Sequence, residues 1–259
     1  MSILETILEE RKEWVESYKK HLTIQDFLKM IEEEKYAHYS FTESLEKPEI
    51  SFIAEVKKAS PSKGIICEDF HPLEIAKEYE KVGVDSISVL TEPNYFKGCN
   101  RYLMEIKEAV KKPLLRKDFI YDEWQVYETK AMGADAMLLI VSMLEPKVLK
   151  ALHALAKKLD LDVLVETHTE KEVEIALEMG AEIIGVNNRN LKTFEVDLEN
   201  TIRLRSLVPE DKVFVAESGI ATREDVVLME KNKVNALLIG ESFMRAEDKM
   251  QRMKAFKGV

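Results

Sequence analysis

Phe52-Ile53-Ala54-Glu55-Val56-Lys57-Lys58-Ala59-Ser60-Pro61-Ser62 reads as a short strand running into a turn. Period two sets Ile53, Glu55 and Lys57 on one face, and Phe52, Ala54 and Val56 on the other. A carboxylate and an ammonium on one strand face are costly to bury unless they pair or meet a charged ligand. Ser60-Pro61-Ser62 then ends the strand and offers hydroxyls to an anion. Taken alone, the stretch fits an exposed salt bridge equally well. The rest of the chain decides between the two.

Short apolar runs recur near 51–57, 86–90, 113–118, 136–141, 162–167, 183–188, 213–218 and 236–240, alternating with amphipathic helical stretches. Their starts lie about 20 to 35 residues apart, the length of one strand plus a crossover helix. Four are introduced by similar phrases: Val82-Gly83-Val84-Asp85, Met132-Gly133-Ala134-Asp135, Met179-Gly180-Ala181-Glu182 and Lys233-Val234-Asn235-Ala236. Glycine there suits a helix end. Ser142-x-x-Glu145, Thr169-x-x-Glu172 and Thr222-x-x-Asp225 resemble capping boxes, and His71-Pro72 puts proline in a first helical turn. A strand–helix unit repeated eight times predicts an α/β fold, a closed parallel (β/α)8 TIM barrel. A doubly wound open sheet is the runner-up. It would need fewer units and would carry a Gly-rich nucleotide turn after its first strand, which is missing.

Residues 1–47 stand outside the repeat and form an N-terminal helical extension of a single domain spanning 1–259. Ser2-x-x-Glu5 caps a helix carrying Ile3, Leu4, Ile7, Leu8, Arg11, Val15 and Tyr18 at helical spacing. Thr23-x-x-Asp26 opens a second through Phe27, Leu28, Met30 and Ile31. Spacing alone favours a plug over the barrel's bottom, the other reading being a lid beside the site.

The chain is 46% hydrophobic and 33% charged, with a net charge of −10. That balance suits one large core and argues against nucleic acid or an anionic membrane as partner. An anionic ligand would need a locally basic site. Two cysteines, Cys67 and Cys99, make no disulfide framework, and neither a secretory signal nor an ~18-residue apolar run is visible. A cytoplasmic protein is expected, and nothing in the sequence asks for more than a monomer.

Barrel enzymes place chemistry at the C-terminal ends of their strands. Strand parity points Glu55 and Lys57, Lys117, Glu166 and Glu217 into one mouth, and Asn187 ends strand six. Singly, each is an ordinary rim residue. Together, acids and amines in one mouth shift pKa values in both directions, as acid–base chemistry requires. Ser218-Gly219 and Gly240 follow strands seven and eight, where barrels commonly hold phosphate on backbone amides. Glu166-x-His168 could give two metal ligands, but His21, His38, His71 and His153 all fall away from strand ends, so no metal site is expected. No cofactor motif is present.

These segments resemble indole-3-glycerol phosphate synthases nearly end to end. The resemblance rests on the strand-one phrase together with Leu115-Arg116-Lys117-Asp118-Phe119-Ile120, Val165-Glu166, Gly185-Val186-Asn187-Asn188-Arg189-Asn190-Leu191, Val215-Ala216-Glu217-Ser218-Gly219-Ile220 and Leu238-Ile239-Gly240-Glu241-Ser242-Phe243-Met244. It implies a carboxy-lyase of tryptophan biosynthesis acting on 1-(2-carboxyphenylamino)-1-deoxyribulose 5-phosphate. In that scheme Lys117 is the first acid while Lys57 steers the carboxylate, and for dehydration Glu166 is the base with Lys57 or Lys117 as acid. Glu55, Asn187 and Glu217 hold sugar hydroxyls and lysines, and Arg189 or Lys57 meets the carboxylate. Phe96, Phe119, Leu138 and Leu191 wall the ring. Ser60, Ser218, Gly219 and Gly240 hold phosphate. Some relatives carry a basic residue at Ala59 and Ser or Thr at Glu241, so Glu241 is expected to turn away from the phosphate. Losing the carboxylate restores ring aromaticity, so the scheme implies no electron-sink cofactor. A sugar-phosphate isomerase of the phosphoribosyl-anthranilate type would leave Lys57 and Lys117 without a task, and a non-catalytic barrel subunit would tolerate losses that this mouth does not show.

Overall fold

A computed structural model describes residues 3–34 and 36–259. Eight parallel strands close into a barrel: β1 (Ser51–Val56), β2 (Ser86–Leu90), β3 (Leu114–Lys117), β4 (Ala136–Ile140), β5 (Asp162–Thr167), β6 (Ile183–Asn187), β7 (Val213–Glu217) and β8 (Ala236–Ile239). Each pairs with the next, and β8 returns to β1 with Leu238 opposite Ile53. Closure rules out the open doubly wound sheet.

Parity builds two apolar layers from the same strands. Ile53, Leu115, Leu138, Leu164, Val215 and Leu238 fill the lumen. Phe52, Ala54, Val56, Met137, Val165 and Ala216 face outward and pack beneath the helices. Because the strands are buried on both faces, they read as near-continuous apolar runs, and the inward rows of β1, β3, β5, β6 and β7 end in Glu55, Lys117, Glu166, Asn187 and Glu217.

Helix punctuation follows the expected chemistry with two exceptions. Thr23 with Asp26 and Thr222 with Asp225 form reciprocal capping boxes. Thr169 accepts the Glu172 N–H, but the Glu172 carboxylate accepts the His168 N–H instead of completing the box. Ser142 caps nothing. It lies in a 3-10 turn, Val141–Met143, and the helix Pro146–Lys158 begins after Glu145. Pro146 has a preset φ and no N–H to satisfy, so it opens that helix without a side-chain cap. The expected Ser2 cap lies outside the described residues. Gly83, Gly133 and Gly180 end their helices at φ 80, 79 and 85, and Lys233 adopts the same left-handed turn at φ 55 where the fourth phrase has no glycine.

The extension divides its work. α1 (Ile3–Tyr18) lies across the strands' C-terminal mouth, where Ile3, Leu4 and Ile7 border the main cavity. α2 (Ile24–Glu32) packs on the helix Glu123–Ala131 through Phe27 and Trp124, whose rings meet edge-on at 4.9 Å. α3 (Phe41–Leu45) closes the other end, burying Phe41 and Leu45 in the lumen cluster and donating the Thr42 amide to Asp162 at 2.9 Å. The bottom plug is therefore α3, and α1 is a lid. Spacing exposes an apolar helix face but not which barrel end will cover it.

Candidate active site

The acids, amines and Asn187 at the strand ends, with Ser218, Gly219 and Gly240, border one cavity of about 450 Å³ at the mouth, whereas His168 does not. The cavity's polar floor comes from the inward ends of β1, β3, β5, β6 and β7. Lys57 pairs with Glu55 within β1 and its turn. Lys117 at the end of β3 pairs with Glu217 of β7 and lies 3.5 Å from Glu166 of β5. Asn187 ties the floor together: its Nδ2 donates to Glu166 at 3.2 Å, and its Oδ1 accepts the Ser218 hydroxyl at 2.9 Å and the Arg189 amide at 3.0 Å.

Three carboxylates face two ammoniums here, and all three acids are buried. Burial opposes the Lys117 charge, yet Glu217, Glu166 and Glu55 outweigh it and hold the lysine above its ordinary pKa. Lys117 thus stays an ammonium, the form that donates a proton. Glu217 carries the surplus negative charge. Burial, aided by Glu166 and Glu55 and opposed by Lys117, pushes it up to about 7. Between its ordinary 4.5 and about 7 the folded chain holds a proton that the unfolded chain has lost, so this group weakens the fold as pH rises through that window. Glu217→Gln removes the penalty. Thermal melts should place the variant on the order of 5 °C above the parent at about pH 8, the gap closing toward about pH 4.5. A variant melting below the parent at both pH values would show that the charge is fully compensated.

Glycines leave room for these groups. A Cβ at Gly240 would strike Glu55 and Lys57, and one at Gly185 would strike Glu217. Ser218 and Gly219 follow β7 with φ 66 and 90. The left-handed conformation of Ser218, costly for a residue with a Cβ, is held by its hydroxyl bond to Asn187. Ser60, Gly219 and Gly240 bring backbone and a hydroxyl to the rim. Glu241 turns its carboxylate to Arg245 Nε at 3.0 Å.

Phe96 and Phe119 stand 6.0 Å apart between centroids, and with Leu138 and Leu191 they give the cavity an apolar wall. Arg189 donates one Nη1 hydrogen bond to the Phe194 carbonyl at 3.0 Å.

Several contributors were missed by sequence reading. Arg245 and Arg252 border the cavity with Lys63, making that side basic within an acidic chain. The i, i+4 spacing of Glu241 and Arg245 was an available signal. Arg252 comes from the helix Lys249–Lys257, and no local pattern announces its approach. Directly behind Lys117, Asp118 accepts two hydrogen bonds from Arg11 of the lid helix at 3.0 and 2.6 Å, and a third from Arg116 at 3.1 Å. His168, considered only as a metal ligand, stands beside Glu166.

The fold is a (β/α)8 barrel, and its mouth gathers acids, amines and a basic rim around one cavity, the layout of an acid–base enzyme. The family profile described as indole-3-glycerol phosphate synthase matches residues 4–256. A synthase of that name from Endomicrobium trichonymphae is 56% identical over 218 residues, covering 84% of each chain. One from Caldanaerobacter subterraneus subsp. tengcongensis is 49% identical over 254 residues, covering 98% of this chain and 97% of its own. The chain belongs to the indole-3-glycerol phosphate synthase family. Among solved structures, 3-hexulose-6-phosphate synthase from Salmonella typhimurium superposes with a TM-score of 0.67 at 14% identity, covering 81% of this chain and 97% of that one, a likeness of fold alone. Among the described residues, no helix is long and apolar enough to cross a membrane.

Proposed function

We infer that this chain converts 1-(2-carboxyphenylamino)-1-deoxyribulose 5-phosphate to indole-3-glycerol phosphate, carbon dioxide and water. Beside its family membership, the observation that carries the reading is the buried Lys117–Glu217–Glu166 group facing an aromatic wall in a single cavity. The three chemical events make different demands, and each has a candidate residue.

Ring closure turns a ketone oxygen into an alkoxide, which needs a proton as charge builds. Lys117, held as an ammonium by its carboxylate neighbours, supplies it. Decarboxylation needs the carboxylate out of the ring plane. Lys57 and Arg189 guide it there, while Phe96, Phe119, Leu138 and Leu191 clasp the ring. Dehydration needs an acid at the departing hydroxyl and a base at the adjacent ring position. Lys57 serves as that acid and Glu166 as the base, with Asn187 and Glu55 holding sugar hydroxyls. The phosphate rests on the Ser218, Gly219 and Gly240 backbone with Ser60, and Arg245 and Arg252 supply positive charge nearby.

Purified protein given this substrate should produce the rise in fluorescence of an indole product. Inorganic phosphate at millimolar levels should raise KM and leave kcat unchanged. No fluorescent product would remove the reading, and purely noncompetitive inhibition would remove the glycine-loop phosphate site.

A further inference from the structure

His168 stands two residues beyond Glu166 on the same inward parity, and the chemistry above gives it no part. Its Nε2 is buried and makes no hydrogen bond, yet it lies 3.5 Å from Glu166 Oε1. On its other side Nδ1 lies 3.4 Å from Glu172 Oε2. The same Glu172 oxygen accepts the His168 backbone N–H at 2.8 Å, and Asn200 donates to the His168 carbonyl at 3.2 Å. The ring is therefore fixed between two carboxylates. Glu166 lies nearly out of solvent, with 4% of its side chain exposed, whereas Glu172 keeps 17%. Neither His168 nor Glu172 borders the substrate cavity, although Glu166 does. The row Glu166–His168–Glu172 thus leads from the cavity floor to the outer rim behind the space that substrate fills.

The reaction needs such a path. Closure and dehydration place two protons on the former ketone oxygen, which leaves as water. One proton comes off the new five-membered ring, and the carboxylate departs as carbon dioxide without one. Each turnover therefore draws one net proton from solvent, while Glu166 must shed the proton it has taken. With ligand in the mouth, the direct way in from above is occupied.

We propose that His168, with Glu172 at the rim, passes protons between solvent and Glu166 and so resets the acid–base pair between turnovers. The proposal rests on the function inferred above. His168 is a positioning and relay residue acting through Glu166. It faces three carboxylates: Glu166 two residues before it on β5, Glu172 on the helix Glu170–Glu178, and, through its charge alone, Glu217 at the end of β7. Burial disfavours the imidazolium, but the Glu172 contact and these charges outweigh it and raise its pKa. A ring held between two carboxylates is placed to take a proton on one nitrogen and give one up from the other.

Steady-state kinetics of His168→Ala and Glu172→Gln test this, with thermal melts to establish folding. His168→Ala should lose about tenfold to a hundredfold in kcat with little change in KM, and imidazole added at millimolar levels should restore most of it. Glu172→Gln should lose several-fold in kcat in the same direction. Unchanged kcat in both variants, or a His168→Ala loss that imidazole leaves untouched, would overturn the relay. If His168→Ala fails to fold, Glu172→Gln decides alone, and wild-type kcat in that variant rejects the proposal. Product formation by the parent chain tests the reaction itself, so failure of the relay and failure of the function are read from different samples.

Discussion

Lys117→Ala should lose about 10³-fold or more in kcat, the range expected when a positioned acid is removed. The loss cannot be made up by neighbours. Lys57 is engaged by Glu55, and no other ammonium reaches Glu217 or Glu166 within ion-pair distance among the described residues. The same change strips two buried carboxylates of their cation, and breaking such a pair costs on the order of 3–5 kcal/mol. Glu217 relieves part of that cost by taking a proton, being already pushed up to about 7 in the intact cluster. The variant's stability deficit should therefore be large at about pH 8 and shrink toward about pH 6. Lys117→Arg separates the two roles. A guanidinium keeps the charge and the fold but holds its protons too tightly to serve as an acid. Lys117→Arg with near-parental melting and parental kcat would show that charge, not proton donation, is what the position supplies.

What the sequence disclosed follows from strand parity. On β1, β3, β5 and β7 a charged residue interrupts the inward row, while the outward row stays apolar on β1 and β7 and through Val165 on β5. Glu55, Lys117, Glu166 and Glu217 were legible for that reason. The outward row of β3 breaks the pattern at Arg116, which is completely buried. Its partners come from three separate segments: Thr91 after β2, Asp118 after β3, and Glu128 with Thr129 on the helix Glu123–Ala131. Parity predicts that the residue faces out, but only the packed helices reveal that this outside is dry. The lid was hidden for a related reason. Ile3, Leu4 and Ile7 show an apolar face, but the choice between mouth and bottom is made by Arg11, whose ion pair with Asp118 spans 107 positions of sequence. Local pattern carries strands, caps and turns. It does not carry a charge pair formed only after closure.

That pair sets the second large effect. Asp118→Asn should lower the melting temperature by about 10 °C, from a loss of roughly 3–5 kcal/mol. Asp118 is wholly buried and accepts from Arg11, Arg116, the Thr91 hydroxyl at 2.6 Å and its neighbour's amide at 2.8 Å. Burial alone would raise its pKa, but the two guanidiniums outweigh it and hold the carboxyl below its ordinary value. Its contribution is therefore present above the unfolded carboxyl's pKa and lost only as pH falls through the lower, folded one. Arg11 and Arg116 balance Asp118 and Glu128 one for one. The asparagine leaves two buried cations with a single anion between them. Adding Arg11→Met restores the balance, so the double variant should recover most of the lost stability, which simple loss of hydrogen bonds would not allow. Activity should divide differently. Without Arg11 anchored, Ile3, Leu4 and Ile7 are no longer held against the mouth, and KM should rise in both variants. Lys117 keeps its carboxylate partners on the lumen side, so kcat should fall far less than in Lys117→Ala. Recovery of KM together with stability in the double variant would place the lid's hold elsewhere than in this ion pair.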